Sequence, residues 1–379
     1  MSNRRDDEFE DGVRQTRRTS GSAPRGKRRR KKNKKKAIIL FVVEIVVLLI
    51  LIGVVWLLFS KMKVDKVGKV NLDKETISES INASVAEEET MQGYTNIALF
   101  GVDARDGALD KNTRSDSIII ASINNETGDV KLLSVYRDTY LNLGNDTYTK
   151  CNAAYAKGGP NQAISMLNKN LDMDIEDFVT IGFSGLTDVI DEIGGVEITV
   201  EESEITHLNN YQSTMAADMG VEYTPVTTAG TQTLNGLQAT AYCRIRYTAG
   251  DDFKRAERQR TVLMAILDKA QDCSLTELTD IANKVFEETY TSLDLSDIIT
   301  MLGNITNYTV VSNDGFPNEE MRATGNMGDA GSSVIPITLA TNVKWLHEYL
   351  FDDTEYEVTE DVLEYSDKIA ADYTEFCGG

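Results

Sequence analysis

An apolar run of 23 residues near the N-terminus constrains this chain more than any other feature of its sequence. The run covers residues 37–59 and contains one charged side chain, Glu44. A helix rises about 1.5 Å per residue, so a run of this length spans the ~30 Å hydrocarbon core of a bilayer. The sequence therefore predicts one transmembrane helix. No small-residue cleavage site follows Phe59, which argues against a removed signal peptide.

The charges on the two sides of this run have opposite signs. Residues 1–36 contain 15 Lys and Arg against five acids, whereas the remaining 343 residues contain 24 against 55. A basic flank stays on the cytoplasmic side, so residues 1–36 are predicted to be a disordered cytoplasmic tail, with the acidic part outside the cell. The basic tail is interpreted as a contact with membrane lipid. Nucleic acid is not an expected partner, because the acidic part repels it.

The exported part is predicted to contain a stalk at residues 60–93, a folded domain at residues 94–351 and an acidic, loosely ordered tail at residues 352–379. Apolar runs at 96–102, 117–123 and 130–136 are typical of buried strands. Turn residues between the second and third runs predict a hairpin.

Later segments are predicted to alternate between helices and strands. They are helix 160–171, strand 178–183, helix 185–193, strands 196–200 and 240–247, and helices 251–270, 295–304 and 337–350. Strands that alternate with helices indicate a layered α/β domain.

Eight of the nine arginines in the exported part fall in two short windows. Three lie between positions 105 and 137 and five between positions 244 and 260, whereas Arg322 lies elsewhere. Arginine presents a planar fork of paired donors that suits phosphate oxygens, and it keeps its charge. Its concentration in an acidic domain predicts a local anion site. The alternative is that these arginines form surface ion pairs with nearby acids, namely Asp251, Asp252 and Glu257.

Two pairs of residues in the second window are predicted to share a face. Arg244 and Arg246 are two apart on the predicted strand, and Arg255 and Gln259 are four apart on the predicted helix. Arg255 also lies in the first helical turn, where the helix dipole disfavours a cation unless an anion binds there. These side chains are therefore candidates for binding a pyrophosphate.

Acidic residues are predicted to lie beside the arginines. Asp103 follows the first strand, Asp116 opens the second and Arg137 closes the third, so an antiparallel arrangement would bring all three to one sheet edge. Two carboxylates flanked by Arg105 and Arg114 suit a metal–diphosphate complex, because Mg²⁺ prefers oxygen ligands. Asp103 and Asp116 are therefore predicted to bind Mg²⁺, with Mn²⁺ as an alternative.

Several motifs, in family order, resemble the LytR-CpsA-Psr family. They are Gly101–Arg105, Arg114–Ser117, Ser134–Thr139, Asn152–Tyr155, Gly158-Gly159, Leu234–Ala239, Arg244–Arg246 and Glu257–Arg260. The N-terminal anchor matches as well, and the resemblance covers roughly residues 94–270. One departure is Tyr136, which stands where many members have proline before the motif arginine.

The resemblance implies a three-layer α/β/α sandwich with a central mixed sheet and a hydrophobic groove for a polyprenyl chain. It implies a phosphotransferase that moves an anionic glycopolymer, such as a teichoic acid or capsule polysaccharide, from undecaprenyl pyrophosphate onto a peptidoglycan hydroxyl. Hydrolysis of the pyrophosphate is an expected side reaction. The expected location is the cell membrane of a Gram-positive-type envelope, with a single span and the catalytic domain outside.

The resemblance also assigns roles to residues. The implied catalytic residues are Asp103, Asp116, Arg137 and Arg244. The implied pyrophosphate-binding residues are Arg105, Arg114, Arg137, Arg244, Arg246, Arg255 and Gln259.

Other functions stay open at the sequence level. A non-catalytic binder of lipid-linked pyrophosphate and an envelope attenuator are the alternatives, whereas two histidines among 379 residues disfavour a Ser-His-Asp enzyme or a zinc site. Four cysteines allow disulfides outside the cell, with 151–243 and 273–377 as one of three pairings. Cys151 and Cys243 are equally compatible with free buried thiols.

Overall fold

The computed structural model of the chain describes residues 77–86, 88–103, 109–110, 112–246 and 251–378. The predicted cytoplasmic tail, the apolar run 37–59 and the first part of the stalk lie outside these residues, as does Arg105. Within the described ranges, no helix combines the length and apolar character needed to cross a bilayer.

The described part of the chain contains twelve strands, which are numbered here in chain order. They are β1 (Tyr94–Val102), β2 (Ser115–Asn124), β3 (Asp129–Val135), β4 (Tyr140–Asn142), β5 (Tyr148–Lys150), β6 (Asp177–Gly182), β7 (Val196–Val200), β8 (Gly230–Leu234), β9 (Thr289–Thr291), β10 (Thr309–Phe316), β11 (Arg322–Asn326) and β12 (Ser332–Pro336). β1, β2, β3, β6 and β7 confirm five predicted strands to within two residues at each end.

Six strands form a central mixed sheet in the order β10-β3-β2-β1-β6-β9. β2 is antiparallel to both β1 and β3, which confirms the predicted hairpin. β6 is parallel to β1, and β10 is parallel to β3. The ends of β1, β3, β6 and β10 therefore meet the start of β2 at one edge of the sheet, which is called the site edge below.

Eleven α-helices lie in the described part of the chain. They are α1 (Ala83–Ala86), α2 (Glu89–Gln92), α3 (Ala153–Leu171), α4 (Phe183–Glu192), α5 (Glu202–Met219), α6 (Gly236–Tyr242), α7 (Asp251–Gln271), α8 (Leu275–Val285), α9 (Leu295–Gly303), α10 (Leu339–Phe351) and α11 (Glu360–Cys377). Of the predicted helices, α4, α7, α9 and α10 are confirmed. α3 begins seven residues before the predicted start, and Gly158 and Gly159 kink it next to Pro160.

Apolar side chains on the two faces of the sheet pack against different helices, because successive strand residues point to opposite sides. Phe100 and Ile118 belong to a core that also contains Leu167 of α3, Leu346 of α10 and Val362 of α11. On the opposite face, Ile119 and Leu132 pack against Leu263 of α7. Helices cover both faces, so the predicted three-layer α/β/α arrangement with a central mixed sheet is confirmed.

The predicted strand at 240–247 is wrong, because this stretch continues helix α6 to Tyr242 and then turns. The helix begins with a capping box: Asn235 Oδ1 accepts from the Gln238 N–H, and Gln238 Oε1 accepts from the Asn235 N–H, both at 2.9 Å. These bonds satisfy donors at the helix start and outweigh the strand-like composition of the segment. Arg244 and Arg246 therefore follow a helix, and the strand face that was predicted to present them does not exist.

Both ends of the predicted domain need correction. Ile77, Val85 and Met91 of the predicted stalk are buried in the main core. The tail that was expected to be loosely ordered contains α11, in which Val362 and Ile369 are fully buried. These two residues are seven apart, which places them on one helical face that the acidic composition concealed.

The four cysteines are free thiols, so none of the disulfide pairings that the sequence allowed is formed. Cys151 is buried, and its Sγ donates to the carbonyl oxygens of Tyr136 and Arg137 at 3.3 Å each. Burial raises the pKa of the Cys243 thiol to about 12. Both side chains therefore act as small buried groups, which was the other option that the sequence left open.

Candidate functional site

The site edge brings together the two predicted metal ligands and the first motif arginine. Val102 pairs with Ser115 across a bulge, so Asp103 and Asp116 flank the junction of β1 and β2. Arg137 follows the end of β3, and its Nη1 lies 2.5 Å from Asp116 Oδ1. The predicted convergence of Asp103, Asp116 and Arg137 at one edge is therefore confirmed.

Arg244 reaches the same edge from the turn after α6. Its Nη2 lies 3.7 Å from Asp103 Oδ2. Its guanidinium carbon lies 4.4 Å from the ring centroid of Phe183 and 5.5 Å from that of Tyr211. The two aromatic faces attract a cation and fix its orientation, so Arg244 is held beside Asp103.

Asp252, in the first turn of α7, joins the two arginine windows. Its Oδ1 lies 3.0 Å from Arg255 Nη1 and 3.4 Å from Arg246 Nε, and its Oδ2 lies 3.7 Å from Arg137 Nη2. The alternative of pairing with neighbouring acids is thus correct for Asp252. Asp252 alone does not neutralise the three guanidinium groups that it contacts.

A second acid and a lysine extend this network. Asp138 Oδ2 lies 3.8 Å from Arg137 Nε, and Asp138 Oδ1 lies 3.5 Å from Lys150 Nζ. Burial raises the pKa of Asp138, although Arg137 and Lys150 oppose the shift. This network comprises four cationic and three anionic groups, and the separate Arg244–Asp103 pair adds one of each, which leaves a net charge of one positive in a strongly acidic chain.

Arg137 and Arg255 differ in how far nearby carboxylates compensate their positive charges. Burial lowers the pKa of Arg255, and the positive charge of Arg137 lowers it further. Burial also acts to lower the pKa of Arg137, but the carboxylates of Asp116, Asp252 and Asp138 outweigh it and raise that pKa. The Nε atoms of Arg137 and Arg255 are buried without a hydrogen-bond acceptor among the described residues. A bound anion would add negative charge beside both guanidinium groups.

An apolar channel opens beside this cluster. Its inner part has a volume of about 250 Å³, and Asp116 and Gln259 line it together with aliphatic and aromatic side chains. Its outer part, about 390 Å³, runs between α7, α8 and α9. Both parts share the same wall residues, namely Val179, Val189, Leu263 and Ile266. The hydrophobic groove implied by the family resemblance is therefore present and begins at the charged cluster.

The predicted common face of Arg255 and Gln259 is confirmed. Arg255 is 5% exposed, its Nη2 lies 3.5 Å from the Asp116 carbonyl oxygen, and both side chains line a small polar cleft with Arg137 and Asp252. Gln259 also lines the apolar channel, so it lies where the polar cleft and the channel meet.

Three arginines of the two windows do not contribute to the cationic cluster. Arg114 is exposed before β2 and forms no ion pair with another described residue, so the structure does not bring it into the cluster. Arg258 is buried, its Nε lies 2.7 Å from Glu204 Oε1, and its Nη1 donates to the Ile245 carbonyl oxygen at 3.2 Å. This bond anchors the turn between Arg244 and Arg246. Arg260 donates to Asn313 of β10.

Two carboxylates at the site edge could coordinate a divalent cation. No three His, Cys, Asp or Glu side chains in the described part of the chain are grouped closely enough to hold a metal alone. Asp103 and Asp116 are two hard carboxylates with side chains 32% and 30% exposed. Mg²⁺ often takes one or two protein carboxylates and completes its shell with water and phosphate oxygens. The pair fits such an ion in company with a diphosphate.

Sequence reasoning missed several residues of the cluster. Asp252 was predicted only as a possible surface partner of the arginines, and no site role was predicted for Asp138, Lys150, Phe183 and Tyr211. Asp138 directly follows Arg137, and this adjacency is the signal that could have indicated it. Phe183 and Tyr211 lie far from Arg244 in the sequence, so the packing of α4 and α5 alone reveals them.

The fold and this site define a class of protein: a layered α/β domain in which a cationic, carboxylate-flanked cluster opens into an apolar channel. The family model described as the LytR_cpsA_psr family matches residues 57–338, well over half of the chain. The chain belongs to this family.

Two curated relatives and one solved structure are similar to the chain. The polyisoprenyl-teichoic acid–peptidoglycan teichoic acid transferase TagV of Bacillus subtilis (strain 168) is 32% identical over 189 residues, which cover 48% of this chain and 46% of that protein. The transferase TagT of the same strain is 30% identical over 214 residues, which cover 56% of this chain and 64% of that protein. The chain thus matches about half to two thirds of the length of these relatives.

The solved structure is the LytR-CPS2A-psr family protein YwtF (TagT) with bound octaprenyl pyrophosphate lipid. It is 24% identical to this chain, covers 69% of this chain and 92% of its own length, and superposes with a TM-score of 0.51. This likeness shows the shared fold.

Proposed function

We propose that the protein transfers an anionic glycopolymer from a polyprenyl pyrophosphate carrier to a hydroxyl group of peptidoglycan. The observation that carries this proposal is the direct junction between the cationic cluster and the apolar channel. A polyprenyl pyrophosphate has the same two parts, a diphosphate and a long apolar chain. The activity named for the TagV and TagT relatives supports the same transfer.

The chemistry follows from charge and position. The hydroxyl oxygen of the acceptor attacks the phosphorus atom that carries the glycopolymer, and the bond from this phosphorus to the bridging oxygen breaks. A phosphodiester forms, and polyprenyl phosphate leaves with the electron pair of the broken bond. Arg137, Arg244, Arg246 and Arg255 neutralise the phosphate oxygens, and Gln259 orients the head group at the channel mouth.

The proton of the attacking hydroxyl needs an acceptor. Asp103 is the proposed base, because its carboxylate is partly exposed at the site edge, where the acceptor hydroxyl would approach the diphosphate. Asp103 and Asp116 are also the proposed ligands of Mg²⁺, which would supply further charge neutralisation when bound. Slow hydrolysis of the same bond by water is a proposed side reaction.

The proposed location follows from charge and hydropathy. Residues 37–59 would anchor the chain, and the basic residues before them would stay in the cytoplasm. The cluster would then work on the outer face of the membrane, where both the lipid carrier and peptidoglycan are accessible.

The test uses the full chain in phospholipid nanodiscs. A polyprenyl-pyrophosphate-linked teichoic acid precursor and peptidoglycan fragments are supplied with Mg²⁺ or with a chelator, and mass spectrometry follows the linked product and released polyprenyl phosphate. We expect both products to appear together and to require the metal. Retention of the lipid without any product would support the non-catalytic binder instead, and absence of binding would contradict both.

A further inference from the structure

Arg322, the arginine outside the two windows, lies beside the site. It begins β11, and its side chain is 13% exposed. Its guanidinium carbon lies 3.9 Å from the ring centroid of Phe253 and 5.1 Å from that of Tyr136. Cation–π attraction is strongest where water is excluded, so these contacts hold Arg322 tightly.

The two rings also contact each other. Tyr136 and Phe253 meet edge to face, with centroids 4.7 Å apart and planes at 84°. Arg322 Nη1 donates to the Tyr136 hydroxyl oxygen at 3.2 Å and to the Pro317 carbonyl oxygen at 3.3 Å. Tyr136, Phe253 and Arg322 therefore form one packed unit, which is called the aromatic–arginine clamp below.

Each ring of the clamp is next in sequence to a charged residue of the site. Tyr136 precedes Arg137 at the end of β3, and Phe253 follows Asp252 at the start of α7. The direct contact between Arg137 and Asp252 is long, at 3.7 Å. The clamp thus joins the two elements that carry these residues, at a point where the ion pair itself is weak.

Tyr136 fits against β10 because residue 315 of that strand is glycine. A Cβ atom on Gly315 of β10 would lie 2.0 Å from the Tyr136 hydroxyl oxygen. Burial raises the pKa of Tyr136, so its hydroxyl stays protonated at neutral pH. The ring is consequently held from three sides, by Phe253, Arg322 and the β10 backbone.

We infer that Arg322 is a positioning residue, which acts through Tyr136 and Phe253 to fix Arg137 against Asp252 and Arg255 and so sets the geometry of the diphosphate subsite. The inference rests on the proposed function. Arg322 acts at one remove, because its donors are directed to Tyr136 and Pro317 and, at 3.9 Å, to the exposed Glu319. A lysine cannot take over this part, since it lacks the planar group that stacks on a ring.

The test compares two probes that share an apolar chain and differ in the head group. Binding of farnesyl pyrophosphate and of farnesol to the full chain in nanodiscs is measured by calorimetry, together with Tm. For Arg322→Ala and Arg322→Lys we expect the Kd of farnesyl pyrophosphate to rise roughly tenfold, because small displacements of charged groups are costly. We expect the Kd of farnesol to stay within about twofold of the wild-type value, because the channel is intact.

Two further variants distinguish an effect on the diphosphate subsite from a general loss of stability. Tyr136→Phe removes the hydrogen bond and keeps the ring contact, so a smaller loss of roughly threefold is expected. Tyr94→Leu is the matched control, because it removes another edge-to-face contact, with Phe351 at 5.1 Å, at the start of β1 and away from the site edge. It should lower Tm without changing the ratio of the two Kd values.

Three outcomes are decisive. An unchanged ratio of the Kd of farnesyl pyrophosphate to that of farnesol in Arg322→Ala would overturn the inference. A wild-type ratio in Arg322→Lys would also overturn it, because charge alone would then be responsible. A wild-type chain that binds farnesyl pyrophosphate no better than farnesol would instead overturn the proposed function. The wild-type arm therefore separates the two failures.

Discussion

Asp252 is the side chain on which the two arginine windows converge. It lies within 4 Å of Arg137, Arg246 and Arg255, which come from three different segments of the chain. A fixed carboxylate of this kind holds the guanidinium groups in place before a substrate arrives. Preorganised donors need no rearrangement during the reaction, and this is the main source of electrostatic catalysis.

Arg244 provides the sharpest test of a single side chain. Because Arg244 has a direct ion pair only with Asp103 among the described residues, we expect Arg244→Ala or Asp103→Ala to reduce transfer by roughly 10²- to 10³-fold with little change in Tm. Steady-state transfer and thermal unfolding are the measurements. The control is Lys131→Ala, which removes a cation at the far end of β3. Wild-type rates in either site variant would contradict the assignment.

The buried His347 makes the stability of the fold depend on pH. Its ring is buried and stacks on Tyr356, its Nε2–H donates to the Leu171 carbonyl oxygen at 3.1 Å, and burial lowers its pKa to about 4. The unfolded chain takes up the proton near pH 6.5, whereas the folded chain does not. His347 therefore destabilises the fold as pH falls, by about 2 kcal/mol between pH 7 and pH 5.

Urea unfolding at these two pH values measures the effect. The buried Asp172 works in the opposite direction, because burial raises its pKa and the folded chain then binds a proton more readily. The comparison is thus made with His347→Gln, which should lose the His347 share of the pH dependence and keep that of Asp172. Equal pH dependence in both proteins would contradict the role of His347.

Most charged residues of the site could be predicted, because arginine clusters and strand-end acids are visible in the sequence. Asp103, Asp116, Arg137, Arg244, Arg246, Arg255 and Gln259 do lie together. Arg114 shows the limit of this reasoning, since it satisfies the same pattern but is exposed outside the cluster. Whether a side chain at a strand end turns toward or away from its neighbours depends on packing that spacing does not encode.

Among the elements, α8 and α9 form the outer wall of the channel. Their apolar side chains, together with those of α7, enclose about 390 Å³, and Ala282 of α8 is the smallest residue of α8 that lines this space. A larger side chain there would block the outer part and leave the inner part open. The length of the apolar chain that the protein accepts should therefore depend on this position.

We expect Ala282→Trp to weaken binding of undecaprenyl pyrophosphate by roughly tenfold or more, because a long chain loses its apolar contacts. Binding of geranyl pyrophosphate, which is short enough for the inner part, should change little. Calorimetry with both lipids gives the ratio of the two Kd values. Equal losses for the two lipids would show that the substitution acts on the fold and not on the channel.

Strands of the sheet were predictable because their apolar runs are short and bounded by turn residues. Helix α6 was not, because its stretch from Thr240 is rich in residues that favour strands. The start of this helix is marked by the Asn235–Gln238 capping box, which lies before the stretch from Thr240. Local capping chemistry decided the structure there, and composition did not.

For the whole molecule, the C-terminal helix α11 is part of the fold. Val362 and Ile369 are fully buried, and Thr359 Oγ1 donates to the buried Asp172 at 2.8 Å. Burial of each aliphatic side chain contributes about 2 kcal/mol, against a total stability of about 5–15 kcal/mol for a typical domain. The stability of the fold therefore depends on a segment whose acidic composition is typical of a solvated tail.

Deletion of residues 352–379 should lower Tm strongly or abolish cooperative unfolding, because it opens the main core. Thermal unfolding followed by circular dichroism measures this effect. Deletion of residues 378–379 alone is the control and should leave Tm unchanged. A truncated chain with wild-type Tm would show that α11 contributes little to stability.

The burial of Ile77 limits the distance between the folded domain and the membrane in the proposed arrangement. If residues 37–59 span the bilayer as proposed, residues 60–76 lie between that span and Ile77, which is buried in the main core. Seventeen residues reach at most about 60 Å when fully extended. On the proposed function, this length would keep Ile77 within about 60 Å of the lipid surface, and the acceptor hydroxyls would come from the wall strands nearest the membrane.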